Sequence, residues 1–109
     1  MSVLYGISTC DTCRKARKAL ENSGLEVEFR DVRAEPLSQD EIARFLAEFG
    51  GSLLNTRSTT WRGLSEGERG RAPEALLATH PTLMKRPVIE GPGGVTLGWD
   101  KAAQAAHLG

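Results

Sequence analysis

The chain has 109 residues, 39% hydrophobic and 26% charged, with 14 Lys+Arg balanced by 14 Asp+Glu for a formal net charge of zero. That is enough for one compact domain with an ordinary core, and it excludes a disordered chain. The charge balance excludes a domain held to nucleic acid or an anionic membrane by charge alone. No apolar run approaches the roughly 18 residues of a membrane helix, and Met-Ser-Val-Leu-Tyr-Gly at the start has neither the basic stretch nor the apolar run of a signal peptide. A cytoplasmic protein is expected, with no direct contact to nucleic acid or membrane.

Residues 2 to 7, Ser-Val-Leu-Tyr-Gly-Ile, read as a short strand ending near Gly6. Ser8 and Thr9 turn the chain, and from about Asp11 to Ser23 the pattern is helical. Cys13, Ala16, Arg17 and Leu20 share one face, and Arg14, Lys15, Lys18 and Glu21 point elsewhere. Asp11 or Thr12 is the expected cap, and Gly24 the expected stop. Leu25 to Val32 alternates as a second strand, completing a right-handed βαβ unit with parallel strands. Ser38, three residues before Glu41, predicts a capping box opening a helix through Ile42, Phe45, Leu46 and Phe49, closed by Gly50-Gly51. Leu53 to Leu64 has no clean period and reads as irregular or short helical structure. A further helical stretch runs from Pro73 to Thr79. Val88-Ile89 and Val95-Leu97 form a hairpin around Glu90-Gly91-Pro92-Gly93-Gly94, and Asp100 caps a last, alanine-rich helix ending near His107. The order βαβ, helical insert, ββα is the thioredoxin-like arrangement. It implies an α/β fold with a mixed four-stranded sheet, a single domain over 1–109 and an insert at about 38–80.

The chain has two cysteines, Cys10 and Cys13, around Asp11-Thr12 where a strand gives way to a helix. A disulfide-stapled secreted domain uses more cysteines, spaced to close long loops. One CxxC pair in a cytosolic chain is a redox motif or half a metal site. Thiolate is the reactive form, and its pKa falls at a helix N-terminus and beside cations. Cys10, near Arg14, Lys15 and Arg86, is therefore the expected nucleophile, and Cys13, one turn on, the resolving or regulatory thiol. The competing reading makes both small buried residues. A structural zinc site wants four ligands. Only His80 and His107 remain, without suitable spacing and expected to be exposed or at helix ends, so no metal is expected.

Arg86 stands before Pro87, where thioredoxin-like folds place a cis bond and aim the preceding residue at the active-site cysteine. An arginine beside a thiolate binds an oxyanion or carboxylate bidentately. Arg57, in the insert, is the second candidate, and Thr12 joins the two as an anion-binding residue. Trp61 and Trp99 are expected to be core or half-core packing, and Arg14, Lys15, Arg17 and Lys18 a solvated helix face.

Several segments together make the chain similar to the arsenate reductase (ArsC)-like family, which includes Spx-type regulators and YffB-type proteins. They are Tyr5-Gly6-Ile7, Cys13-Arg14-Lys15-Ala16-Arg17, Pro36-Leu37-Ser38, Leu54-Asn55-Thr56-Arg57, His80-Pro81 and Lys85-Arg86-Pro87. The resemblance implies that Cys10 is the catalytic cysteine and that Arg57 and Arg86 hold an oxyanion near it. Arsenate would add to Cys10, glutathione would complete a mixed disulfide and glutaredoxin would release it. Glutathione is then a co-substrate, glutaredoxin or thioredoxin a donor, and no cofactor is tightly bound. A third arginine of the reductases falls where this chain has Leu97-Gly98-Trp99, which implies weaker oxyanion binding. Cys13 is typical of Spx regulators, whose CxxC switches between dithiol and disulfide and which bind the RNA polymerase α subunit. Asn55-Thr56-Arg57 through Thr60-Trp61-Arg62 looks most like the YffB-type branch. The two implied functions are a thiol-dependent reductase of a small oxyanion or thiol substrate and, alternatively, a redox-sensing regulator.

Overall fold

A computed structural model describes residues 2–108. In chain order the elements are β1 (Ser2–Gly6), α1 (Asp11–Asn22), β2 (Val27–Asp31), α2 (Gln39–Phe49), α3 (Thr59–Arg62), α4 (Glu66–Arg69), α5 (Pro73–Thr79), β3 (Val88–Gly91), β4 (Gly94–Leu97) and α6 (Lys101–Leu108). Two 3₁₀ turns, Gly50–Leu53 and Pro81–Leu83, flank the middle region. The residues fall into two compact units. One combines the chain up to Asp31 with the chain from Arg86 onward, and the other is Val32–Lys85.

The first unit holds one four-stranded sheet in the order β2-β1-β3-β4. β1 runs parallel to β2 and antiparallel to β3, and β3 is antiparallel to β4. This is the mixed sheet expected of a thioredoxin-like chain. As an inner strand, β1 buries Ser2, Leu4, Tyr5 and Gly6, and Leu4 lies opposite both Phe29 and Ile89. Cys13, Ala16 and Leu20 recur at helical spacing on α1 and form one buried cluster with Leu4 and Ile89, each 0% exposed. Burying a Leu or Ile side chain contributes about 1.5–3 kcal/mol, so this layer is what fixes the position of α1. Val27, Phe29 and the half-buried Trp99 pack against it.

Local signals set the element ends. After α1 the chain turns through Gly24 at φ +88°, a left-handed conformation that suits glycine, with the Gly24 N–H donating to the Glu21 carbonyl at 3.0 Å. The second strand is shorter than its alternation suggests. It starts at Val27, leaving Leu25 36% exposed, and stops at Asp31, with the buried Val32 outside the ladder. Conversely, the hairpin strands extend inward until Gly91 pairs with Gly94, so only Pro92 and Gly93 form the turn. The Asp100 Oδ1 accepts the Ala103 N–H at 2.9 Å and caps α6. Near the other end of that helix, the half-buried His107 ring joins Thr96 Oγ1 of β4 through Nε2 at 2.8 Å, and burial holds its pKa below the usual imidazole value.

In the second unit, Ser38 Oγ accepts the Glu41 N–H at 3.1 Å and Glu41 Oε1 accepts the Ser38 N–H at 2.8 Å, the reciprocal box that starts α2. Ser38→Ala should lower the unfolding free energy by about 1 kcal/mol, read as a lower urea midpoint at unchanged slope. α2 packs on α5, and Ile42, Phe45, Leu76 and Leu77 are their buried residues. In Leu53 to Leu64, where irregular or short helical structure is expected, the chain forms the short helix α3, with Ser58 Oγ accepting the Trp61 N–H, and the Gly50–Leu53 turn leads into it. α4, too short to show a period in the sequence, is opened by Ser65 in the same way. No helix among the described residues is long and apolar enough to cross a membrane.

Candidate active site

The chain leaves β1 through Ile7, turns, and enters α1 at Cys10. The Cys10 N–H donates to the Ile7 carbonyl at 3.0 Å and the Cys10 carbonyl accepts the Arg14 N–H at 3.0 Å. Cys10 itself, at φ −82° and ψ 122°, is the N-cap residue. The expectation that Asp11 or Thr12 would cap the helix is therefore corrected. Both already lie inside the first turn, and the Asp11 carboxylate is engaged by Arg14.

A neutral thiol is a weak acceptor, and Cys10 makes no conventional capping bond. Its thiolate is better served. Burial pushes the Cys10 thiol up, but the Cys13 N–H, the Cys13 thiol, the Arg86 guanidinium and the Thr12 N–H together outweigh it, and the pKa lies below the ordinary thiol value. Those two N–H groups belong to the second and third helical residues, which an N-cap side chain normally serves. The cation that contributes is Arg86, not Arg14 or Lys15, which are exposed. Arg14 pairs with Asp11, and Arg17 with Glu21 at 3.6 Å.

Cys13 has the opposite environment. It is 0% exposed, and burial pushes its thiol up to about 12. A hydrogen bond from the Ile7 N–H works against the rise, the hydrogen bond with Cys10 and the Cys10 charge add to it, and the Arg86 charge opposes it. Both cysteines are free thiols.

Arg86 is half-buried immediately before β3, and the Arg86–Pro87 bond is cis. Pro87 is buried. Thr12 points an exposed side chain from the first turn and brings its N–H to Cys10. Arg57 belongs to the second unit. It is exposed on a turn where Asn55 Oδ1 accepts the Arg57 N–H at 3.1 Å, and it lines a polar groove of about 590 Å³ with Ser52, Asn55, Thr56 and Lys85. Trp61 and Trp99 are half-buried, in keeping with packing roles. His80 bridges to Glu68 Oε2 at 2.9 Å at the end of α5, so both histidines stand at helix ends, half-buried rather than exposed. Among the described residues no three His, Cys, Asp or Glu side chains cluster as a metal site would need.

The ArsC family profile matches residues 5–106. The chain belongs to the ArsC family. Among ArsC-like relatives, the global transcriptional regulator Spx of Bacillus subtilis is 35% identical over 95 residues, covering 82% of this chain and 72% of the regulator. The solved structure of the YffB protein superposes over 100% of both chains with a TM-score of 0.90 and 34% identity. An arsenate reductase (ArsC) related protein from Brucella melitensis is 35% identical over 95% of this chain and 92% of its own, with a TM-score of 0.72. These ArsC-family neighbours share the thioredoxin-like fold, and two contributors to the site carry no signal in the sequence. The Ile7 N–H is a backbone donor that no side-chain motif reveals, and Gly6 matters for an atom it lacks.

Proposed function

We propose that this protein is a thiol-dependent oxidoreductase in which Cys10 is the nucleophile and Cys13 the resolving or regulatory thiol. The carrying observation is the convergence of two helix N–H groups, the Arg86 guanidinium and the Cys13 thiol on the Cys10 sulfur, which favours the reactive thiolate. The thiolate attacks a small oxyanion or a thiol-derived substrate. Arg86 and Thr12 are assigned to the substrate's anionic group beside Cys10, and Arg57, with Lys85 in its groove, to an anionic group of substrate or donor. Glutathione is the co-substrate, with a glutaredoxin- or thioredoxin-type protein as donor in the cytoplasm, and no cofactor is held tightly. The test is a reductase screen with glutathione and glutaredoxin present, on wild type and Cys10→Ser. Turnover that disappears in Cys10→Ser supports the reading, and turnover that survives overturns it.

The identity to Spx favours a second reading, a redox-sensing regulator that docks on RNA polymerase. Saturable binding to the polymerase α subunit's C-terminal domain, dependent on the state of Cys10 and Cys13, would put that reading first.

A further inference from the structure

Gly6 closes β1 directly beneath the first turn of α1. A Cβ built on it would lie 2.5 Å from Cys13 Sγ, 3.2 Å from Cys13 Cβ and 3.2 Å from Leu4 Cδ2. Its φ is not in the left-handed region. What this glycine supplies is therefore space rather than backbone freedom. The Ile7 N–H, next along the chain, donates to the Cys13 sulfur that fills the space. With Cys13 0% exposed, a thiol from solution has no path to it, while the neighbouring sulfur of Cys10 is within hydrogen-bonding reach.

We propose that Gly6 is a positioning residue for the cysteine pair: the hollow left by its missing Cβ, together with the Ile7 N–H, seats the Cys13 sulfur where it can attack a disulfide formed on Cys10. The inference rests on the reading of Cys13 as the resolving thiol. The oxidant is a small-molecule disulfide, RSSR. The Cys10 thiolate attacks one of its sulfurs, forming Cys10–S–S–R and releasing RS⁻. The Cys13 sulfur then attacks the Cys10 sulfur, the Cys10–S–S–R bond breaks, and the Cys13 proton leaves with the departing RSH. Two protein sulfurs are oxidised and one RSSR is reduced to two thiols. A one-ångström displacement of an attacking group is enough to slow such a step about a hundredfold.

An aromatic disulfide such as 5,5′-dithiobis(2-nitrobenzoate) releases one coloured thiolate per step, so both steps are read in one trace. Wild type should release two, the second at a rate independent of reagent concentration. In Gly6→Ala the second release should slow at least tenfold relative to the first. The thermal-stability loss caused by Gly6→Ala should also be largely relieved in Gly6→Ala/Cys13→Ala, where no sulfur meets the new methyl group. An unchanged second release, or an equal stability loss in both backgrounds, would reduce Gly6 to a packing residue and overturn the inference. Should Gly6→Ala not fold, a folded double variant supports the seat and an unfolded one overturns it. A single thiolate from wild type overturns the resolving role of Cys13 itself, a separate result from two thiolates released at equal rates by wild type and Gly6→Ala.

Discussion

At pH 7, Cys10→Ser, which keeps only Cys13, should be alkylated by iodoacetamide at least about a hundredfold more slowly than Cys13→Ser, which keeps only Cys10. The rate follows the thiolate fraction, and each unit of pKa above the working pH removes about a factor of ten. Burial, the largest influence on Cys13, persists when Cys10 is replaced, although the part of the rise caused by Cys10 does not. In Cys13→Ser the Arg86 guanidinium and the Thr12 and Cys13-position N–H groups still face the Cys10 sulfur. Rate against pH should therefore rise with a midpoint below the ordinary thiol value when only Cys10 is present. With only Cys13 it should climb above that value, towards 12. The reverse order at neutral pH would sink the assignment of roles.

Leu4→Ala should lower the unfolding free energy by about 2–5 kcal/mol, a large share of the roughly 5–15 kcal/mol that holds a domain of this size. Leu4 is 0% exposed at the centre of the inner strand and packs against the buried face of α1 and against Ile89. Removing its side chain takes apolar area out of the layer that fixes α1, and the cavity left behind adds to the cost. Chemical denaturation measures the loss directly. A change under about 1 kcal/mol would mean that this layer does not carry the packing described.

The elements legible in the sequence are those whose signal is local. Ser38 and Glu41 mark the start of α2 because the box needs only its own four residues. Gly24 marks the end of α1 because only one backbone conformation lets the chain turn there. The limits of β2 were less legible: alternation from Leu25 to Val32 continues past the residues that β1 can pair, since ladder length is set by the partner strand. α4 escaped because a four-residue helix has no period, yet Ser65 three residues before Glu68 carried the cap signal. At the site, cysteine spacing pointed to the thiols and Pro87 to Arg86. The distribution of charge was not legible, because Arg14 and Lys15 are near Cys10 in sequence while Arg86 reaches it through the sheet. The seat of Cys13 depends on a missing atom and a main-chain N–H, neither of which has a side-chain signature.

The pairing of β1 with β3 also shapes how the protein is made. During synthesis β1, α1 and β2 leave the ribosome before β3, and one edge of β1 must wait for Val88–Gly91, the residues that complete its hydrogen bonds. At roughly 5–20 residues per second, the intervening stretch takes about 3–11 s to emerge, far longer than a hairpin needs to close. For that interval Leu4 and Tyr5 lie on an open sheet edge in a nascent chain, the kind of surface that aggregates or recruits a chaperone. Val32–Lys85, complete before β3 appears, is free to collapse during the same seconds. The sheet thus closes only after Val32–Lys85 has emerged, and the cysteine loop acquires Arg86 only then.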